Sequence, residues 1–142
     1  DMTIDQIGIT VAAAPVSSVS VRVAIYKVID DFECEALFIS DVLATGTVTG
    51  SVMASLPEQL TCSQYDTYLV GATFSADLDV LQVANYDLPM LRKFTANNTT
   101  SRGHYQSLAP LPFADGLPVS FNTGVALAAA VGGCPEIVMR IA

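Results

Sequence analysis

From Val19 to Val28 the chain reads V-S-V-R-V-A-I-Y-K-V. Val19, Val21, Val23 and Ile25 fall on one side of an extended chain, because successive side chains alternate faces. Ser20, Arg22, Ala24 and Tyr26 fall on the other. The inner set is β-branched throughout, which suits a pleated, half-buried surface. The pattern predicts a central antiparallel strand with one face in a core. It leaves Arg22 and Tyr26 on the outer face, towards solvent or a neighbouring subunit.

The same period recurs along the chain. Thr3 to Val11 is expected to be the first strand, with Ile7, Ile9 and Val11 alternating with Gly8 and Thr10. The small-residue stretch Ala12 to Ser18 then turns it into Val19 to Val28, as a hairpin-like pair. Further strands are expected at Ala36 to Leu43 and at Thr47 to Leu56, where Val52, Ala54 and Leu56 share a face and Pro57 ends the run. Thr67 to Ser75, Leu78 to Ala84 and Val119 to Thr123 follow, and Ile137 to Ile141 closes the set. Asn85 to Pro118 has no sustained period and holds Pro89, Pro110, Pro112 and Pro118 of the seven prolines, so it is neither a central strand nor a long helix. Val125 to Val131 reads as a short helix or a covered loop. Eight short strands with turn signals between them predict an all-β chain: an antiparallel eight-stranded β-sandwich of jelly-roll type, one domain spanning residues 1–142.

Composition narrows the partners. Of 142 residues 51% are hydrophobic and 14% charged, which is a packed chain and not a disordered one. The net charge of −8, with only six Lys and Arg, argues against nucleic acid and against an anionic membrane surface. No apolar run approaches the roughly 20 residues of a membrane helix, so no membrane insertion is expected. Cys34, Cys62 and Cys134 are widely spaced and are expected to be reduced, partly buried thiols, with one disulfide plus a free thiol as the alternative.

The first and second strands together carry a resemblance. Asp5, Ile7, Gly8, Ile9 and Val11, followed by Val21-Arg22-Val23-Ala24-Ile25-Tyr26, resemble the D-R-I-G-I-x-V and V-R-L-G-I-Y strands of a β-sandwich domain. That domain lies at the C-terminal end of many bacteriophage minor tail and tail-fibre proteins. Leu37-Phe38-Ile39-Ser40-Asp41, Tyr68-Leu69-Val70-Gly71-Ala72 and Ile137-Val138-Met139-Arg140-Ile141-Ala142 are similar to later strands of the same family. The chain departs from it where Asp31 to Glu35 replaces a Gly/Pro-rich loop, and where Tyr68-Leu69 lacks a Trp. The resemblance implies a non-enzymatic virion component, a homotrimer on the tail or capsid surface, whose loops or outer face touch the host.

Candidate chemistry is concentrated in one stretch. Arg92, Lys93, Asn97, Asn98, Arg102, His104 and Tyr105 bring cationic groups, amides and rings into one irregular segment. Rings that stack on sugar faces and groups that hydrogen-bond hydroxyls are what glycan recognition needs. Long irregular segments on a rigid sheet are where binding commonly resides. A subunit-contact or solvated loop is the alternative. Asp30, Asp31, Glu33 and Glu35 form an acidic stretch without calcium-loop spacing, better read as a solvated tip. His104 is the sole histidine, and no G-x-S-x-G elbow, zinc spacing or phosphate loop accompanies it. No catalytic residue, metal or cofactor is therefore assigned.

The expected function is a receptor-binding tail-fibre or minor tail domain that meets host cell-surface polysaccharide or protein and other virion proteins. A capsid decoration or head-fibre protein, or the carbohydrate-binding accessory module of a carbohydrate-active enzyme, are the alternatives. The apolar stretch Leu108 to Val131, with Leu111, Phe113, Leu117, Phe121, Val125 and Leu127, is expected to join copies about a threefold axis, with core as its other reading.

Overall fold

The structure, a computed structural model, describes residues 1–30, 32–83, 105–107, 112–122, 127–129 and 134–142. Among these the regular structure is almost all strand. In chain order the strands are β1 (Met2–Val11), β2 (Ser20–Val28), β3 (Glu33–Ile39), β4 (Leu43–Ala44), β5 (Gly50–Cys62) and β6 (Tyr68–Phe74). They continue as β7 (Gln82–Val83), β8 (Tyr105–Ser107), β9 (Ser120–Asn122), β10 (Leu127–Ala129), β11 (Cys134–Pro135) and β12 (Ile137–Ile141). A short 3-10 turn, Phe113–Asp115, precedes β9.

Two antiparallel sheets make a sandwich. One has the order β12-β1-β5; the other is built around β2. Along one side of β2, Ile39 pairs with Ala24 and Leu43 with Val21, so β3 and β4 are successive pieces of one neighbouring strand. Along the other side runs β6, in unbroken register from Val21↔Phe74 to Lys27↔Tyr68. β9 pairs with the start of β3.

The expected hairpin between the first two strands is not formed. β1 pairs with β5 and β12, and β2 with β3, β4 and β6, so Ala12 to Ser18 crosses from one sheet to the other. The reason is apolar content on both inner faces. Ile4, Ile7, Ile9 and Val11 of β1 pack against Val21, Val23 and Ile25 of β2, with Ala54 and Val80, as one buried cluster. Two strands side by side in one sheet would not bring those faces together.

Bulges explain where the simple alternation slips. Ile4 pairs with Ile141 and Gln6 with Arg140, which leaves Asp5 as an extra residue on β1. The phase therefore changes, and Ile4 joins Ile7 and Ile9 inside. On the other side Ile4 pairs with Leu60 and Gln6 with Ser55, so Leu56-Pro57-Glu58-Gln59 bulges from β5. Pro57 does not end the strand. It sits in the bulge, where the missing N–H breaks no ladder bond.

Three hydroxyl side chains hold the ends and the break of the β2 sheet. Ser40 N–H donates to Val23 O at 2.9 Å, and Val23 N–H donates to Ser40 Oγ at 3.0 Å. Thr45 makes the same exchange with Val19, and Ser75 makes it with Ser20. In each case the hydroxyl accepts from a backbone N–H that the neighbouring strand leaves without a carbonyl. Ser40 and Thr45 are buried, so water cannot replace them. Ser40→Ala is expected to cost about 1–3 kcal/mol, the penalty of an unsatisfied buried donor. Denaturant unfolding measures that loss, and amide exchange at Val23 should accelerate in the same variant.

Three further expectations are revised. The described part of Leu78 to Ala84, residues 78–83, is not a regular strand: Leu78 and Val80 face the core, Val80 bridges Val11, and within it only Gln82–Val83 pairs, with β11; Ala84 lies outside the described residues. In Val125 to Val131 the described part, Leu127–Ala129, is strand and not helix. Met139 and Ile141 share the inward phase of β12 but are exposed, because β12 is the last described strand of its sheet.

Candidate functional site

Both faces of β2 are buried at its middle. Ala24 and Tyr26, on the face opposite Val23 and Ile25, are as inaccessible as the inner set. What covers them is residues 112–122 of the same chain. Arg22 donates from Nη1 to the Phe113 carbonyl, and its guanidinium lies 4.5 Å from the Phe113 ring centroid. The Tyr26 hydroxyl donates to Pro118 O at 2.8 Å, and its ring meets Phe121 edge-to-face at 4.9 Å. Ala36 N–H donates to Val119 O, and Asn122 Nδ2 donates to Glu33 Oε1 at 2.7 Å. Leu117 and Phe121 pack on the Ala24–Tyr26–Cys34 cluster. Arg22 and Tyr26 therefore anchor this strap and do not wait for a neighbouring subunit. Phe113, Leu117 and Phe121 are likewise turned onto their own sheet.

Arg92, Lys93, Asn97, Asn98, Arg102 and His104 lie outside the described residues. Tyr105 is the first residue of β8, opposite Ala129. The ends of the segment 84–104 are both placed: Val83 pairs with Cys134, and Tyr105 with Ala129. The first of these ladders is tied to the sandwich. Glu136 N–H donates to Leu81 O, Leu81 N–H to Thr10 O, and Ala12 N–H to Asp79 O. The root of the segment thus sits at the end of β1, the strand with most of the buried isoleucines.

The acidic stretch is partly structural. Asp30 Oδ1 accepts from the N–H groups of Phe32 and Glu33 at 3.2 and 3.0 Å, which turns the chain into β3. Asp31 lies outside the described residues. Among the described residues no three of His, Cys, Asp and Glu gather closely enough to hold a metal ion. No helix among them is long and apolar enough to cross a membrane.

Among the described residues two ion pairs lie at the margins of the sheets. Arg140 forks onto Asp5, Nε to Oδ1 at 2.7 Å and Nη2 to Oδ2 at 2.6 Å. The Asp5 bulge makes this reach possible, and the guanidinium lowers the Asp5 carboxyl. Lys27 Nζ lies 2.9 Å from Asp66 Oδ2, which raises the lysine.

Cys34 and Cys62 are free thiols, the first fully buried and the second half-buried. Burial, then the Glu33 and Asp30 carboxylates, push the Cys34 thiol up to about 11. Burial, with the charge that Cys34 would carry, pushes Tyr26 up to about 12. Both protons are held more tightly in the folded chain. Below pH 9 the Cys34 thiol is protonated folded and unfolded alike. Above pH 9 the unfolded thiol ionises first, so stability falls through the window from pH 9 to about 11. Melting temperature should therefore drop across that window, and with a shallower slope in Cys34→Ala. At pH 8 Cys34 should resist a thiol reagent until the protein unfolds.

A groove of about 280 Å³ opens between the sheets, lined by Leu37, Phe38, Leu56, Pro57, Gln59 and Leu60, with Glu58 on its wall. Two bulges make it. Ile25 pairs with Phe38 and Tyr26 with Ala36, which leaves Leu37 extra on β3, and the bulge of β5 faces it. Pro57 inside an alternating run was the one sequence signal for this opening. Comparison with protein-family models, curated proteins and solved structures found no match. The class that the geometry defines is an all-β sandwich with a strap over one face and two short ladders that flank residues 84–104.

Proposed function

We propose that this chain is a non-enzymatic adhesion module of a virion, a tail-fibre or minor tail domain that meets host-surface polysaccharide or protein through residues 92–105. The observation that carries this reading is the rooting of segment 84–104. Val83 and Tyr105 are both held in ladders, and the hydrogen bonds from Leu81 N–H to Thr10 O and from Ala12 N–H to Asp79 O tie the first ladder to the end of β1. A two-sheet body of this kind holds the Val83 end of a recognition segment in place. The segment's composition suits sugars: Arg92, Lys93, Arg102 and His104 supply donors, Asn97 and Asn98 supply both donors and acceptors, and Tyr105 supplies a ring. The resemblance of β1, β2 and β12 to tail-protein strands supports the same class.

The test is binding of the folded chain to a glycan array and to host-range panels of bacterial cells. Arg102→Ala and Tyr105→Ala are expected to lose most of the binding at unchanged melting temperature. Undiminished binding by both variants removes this segment as the site. Tight binding to empty capsids without any cell binding replaces the adhesion reading with a capsid-decoration role.

A further inference from the structure

The strand edges of this sandwich are not equally protected. β5 carries Pro57, Glu58 and a bulge, and β12 carries Arg140, while β4 and β9 are short. These are the usual guards against edge-to-edge pairing. β6 has none of them. Tyr68-Leu69-Val70-Gly71-Ala72-Thr73-Phe74 contains no charge and no proline, and it pairs with β2 without a bulge. Among the described residues its other edge has no partner strand.

The phase of that edge follows from the ladder. Val28 N–H donates to Thr67 O, and Ser75 N–H donates to Ser20 O. In an antiparallel pair such bonds recur at every second residue. Residues 67, 69, 71, 73 and 75 therefore turn their main-chain groups towards β2. Tyr68, Val70, Ala72 and Phe74 turn theirs outward, in an unbroken run.

We infer that β6 pairs antiparallel with β6 of a second copy, on a twofold axis through Gly71, joining the two β2 sheets into one. The strand is complementary to itself in this register. Val70 bonds Ala72 of the second copy, and Tyr68 bonds Phe74 of the second copy, each pair exchanging two main-chain hydrogen bonds. Gly71 then faces its own symmetry mate in a non-hydrogen-bonded pair, where Cα atoms approach to about 4.5 Å. A glycine gives that approach no obstruction, and among the described residues nothing stands within 4 Å of where its Cβ would be. Charge selects the same edge. On a chain of net charge −8, self-association needs a seam without like charges opposed. Asp66 would face position 76, an alanine, and Asp66 is already paired with Lys27. Val70, 39% exposed at this edge, would be covered. The threefold assembly implied by the tail-protein resemblance is a competing outcome. The pairing stands independently of the adhesion reading.

Light scattering and sedimentation equilibrium of the full chain are expected to give twice the 14.9 kDa chain mass. Val70→Pro removes an outward N–H and no bond to β2, a place where an edge strand tolerates proline. It is expected to halve the mass while the β circular dichroism and cooperative melting persist. If that variant does not fold, Val70→Lys, which places a charge in the seam, is expected to give the same monomer. Gly71→Cys, with Cys62 and Cys134 replaced by serine, is expected to form a covalent dimer on mild oxidation, since the Cα separation suits a disulfide. A monomeric or trimeric parent chain overturns the pairing. So does a dimer that survives Val70→Lys, or one that Gly71→Cys fails to cross-link.

Discussion

Gly8→Ala is expected to lower stability by about 3 kcal/mol, as overpacking of a closed site does. For a chain of this length that is a fall of about 10 °C in melting temperature. The glycine is not there for a left-handed turn. It lies mid-strand on β1, opposite Met53, and is buried on the outer face of its sheet. A methyl group at Gly8 would overlap the Val52 carbonyl oxygen and stand 2.7 Å from Met53 Sδ. The thioether can swing aside, but the carbonyl belongs to the β5 ladder and cannot move without breaking pairing. The register Gly8↔Met53 and Ile9↔Val52 must open, and β1 supplies four of the nine buried residues of the central cluster. Thermal unfolding followed by circular dichroism decides the point. A variant that melts within 1 °C or so of the parent would show that β5 can shift away at little cost.

Ile7→Ala should cost about 4 kcal/mol, while Ile141→Ala should change stability by less than about 0.5 kcal/mol. Both residues are isoleucines in alternating strands of the same sheet, and both lie on its inner phase. Ile7 has no exposed surface and packs within the central cluster against the β2 side chains. Its truncation removes buried methyl groups and leaves a cavity that two stiff sheets cannot close. Ile141, at the end of β12, is 67% exposed and has little burial to lose. Urea denaturation of the two variants side by side gives the contrast directly. Equal losses would mean that β12 is covered in the folded protein by something beyond the described residues.

Much of the architecture was legible in the residues. The alternation in Val19 to Ile25 correctly marked the inner face of β2, and that in Ile7 to Val11 the inner face of β1. Local side-chain period decides which face of a strand is apolar, so it can be read without knowing the neighbours. The closing strand Ile137–Ile141 and the face shared by Val52, Ala54 and Leu56 were legible for the same reason.

The candidate site was less legible. Arg92 to His104 was singled out from composition alone, and its placement lies outside the described residues. What the structure adds there is the position of its roots at Val83 and Tyr105. The strap over β2 was not foreseen. Its anchors Arg22 and Tyr26 looked like surface residues because the outer face of a strand reads as polar whenever its polar groups have distant partners. Phe113 and Pro118 stand some ninety positions away, at separations of 91 and 92 residues, and no local pattern reports such contacts.

By itself the sequence determined the strand character, the inward phase of β1, β2 and β5, and the all-β class. These depend on alternation and β-branching, which act over a few residues. Only the tertiary structure decided that β1 and β2 face each other across two sheets, because pairing is a contest among all strands for apolar cover. It also decided that a proline sits inside β5, that Gly8 lies beneath Met53, and that serine and threonine hydroxyls complete the β2 ladder. Each of these is a meeting of residues far apart in the chain, set by register and bulges, and a period-two pattern carries no information about which strand lies alongside.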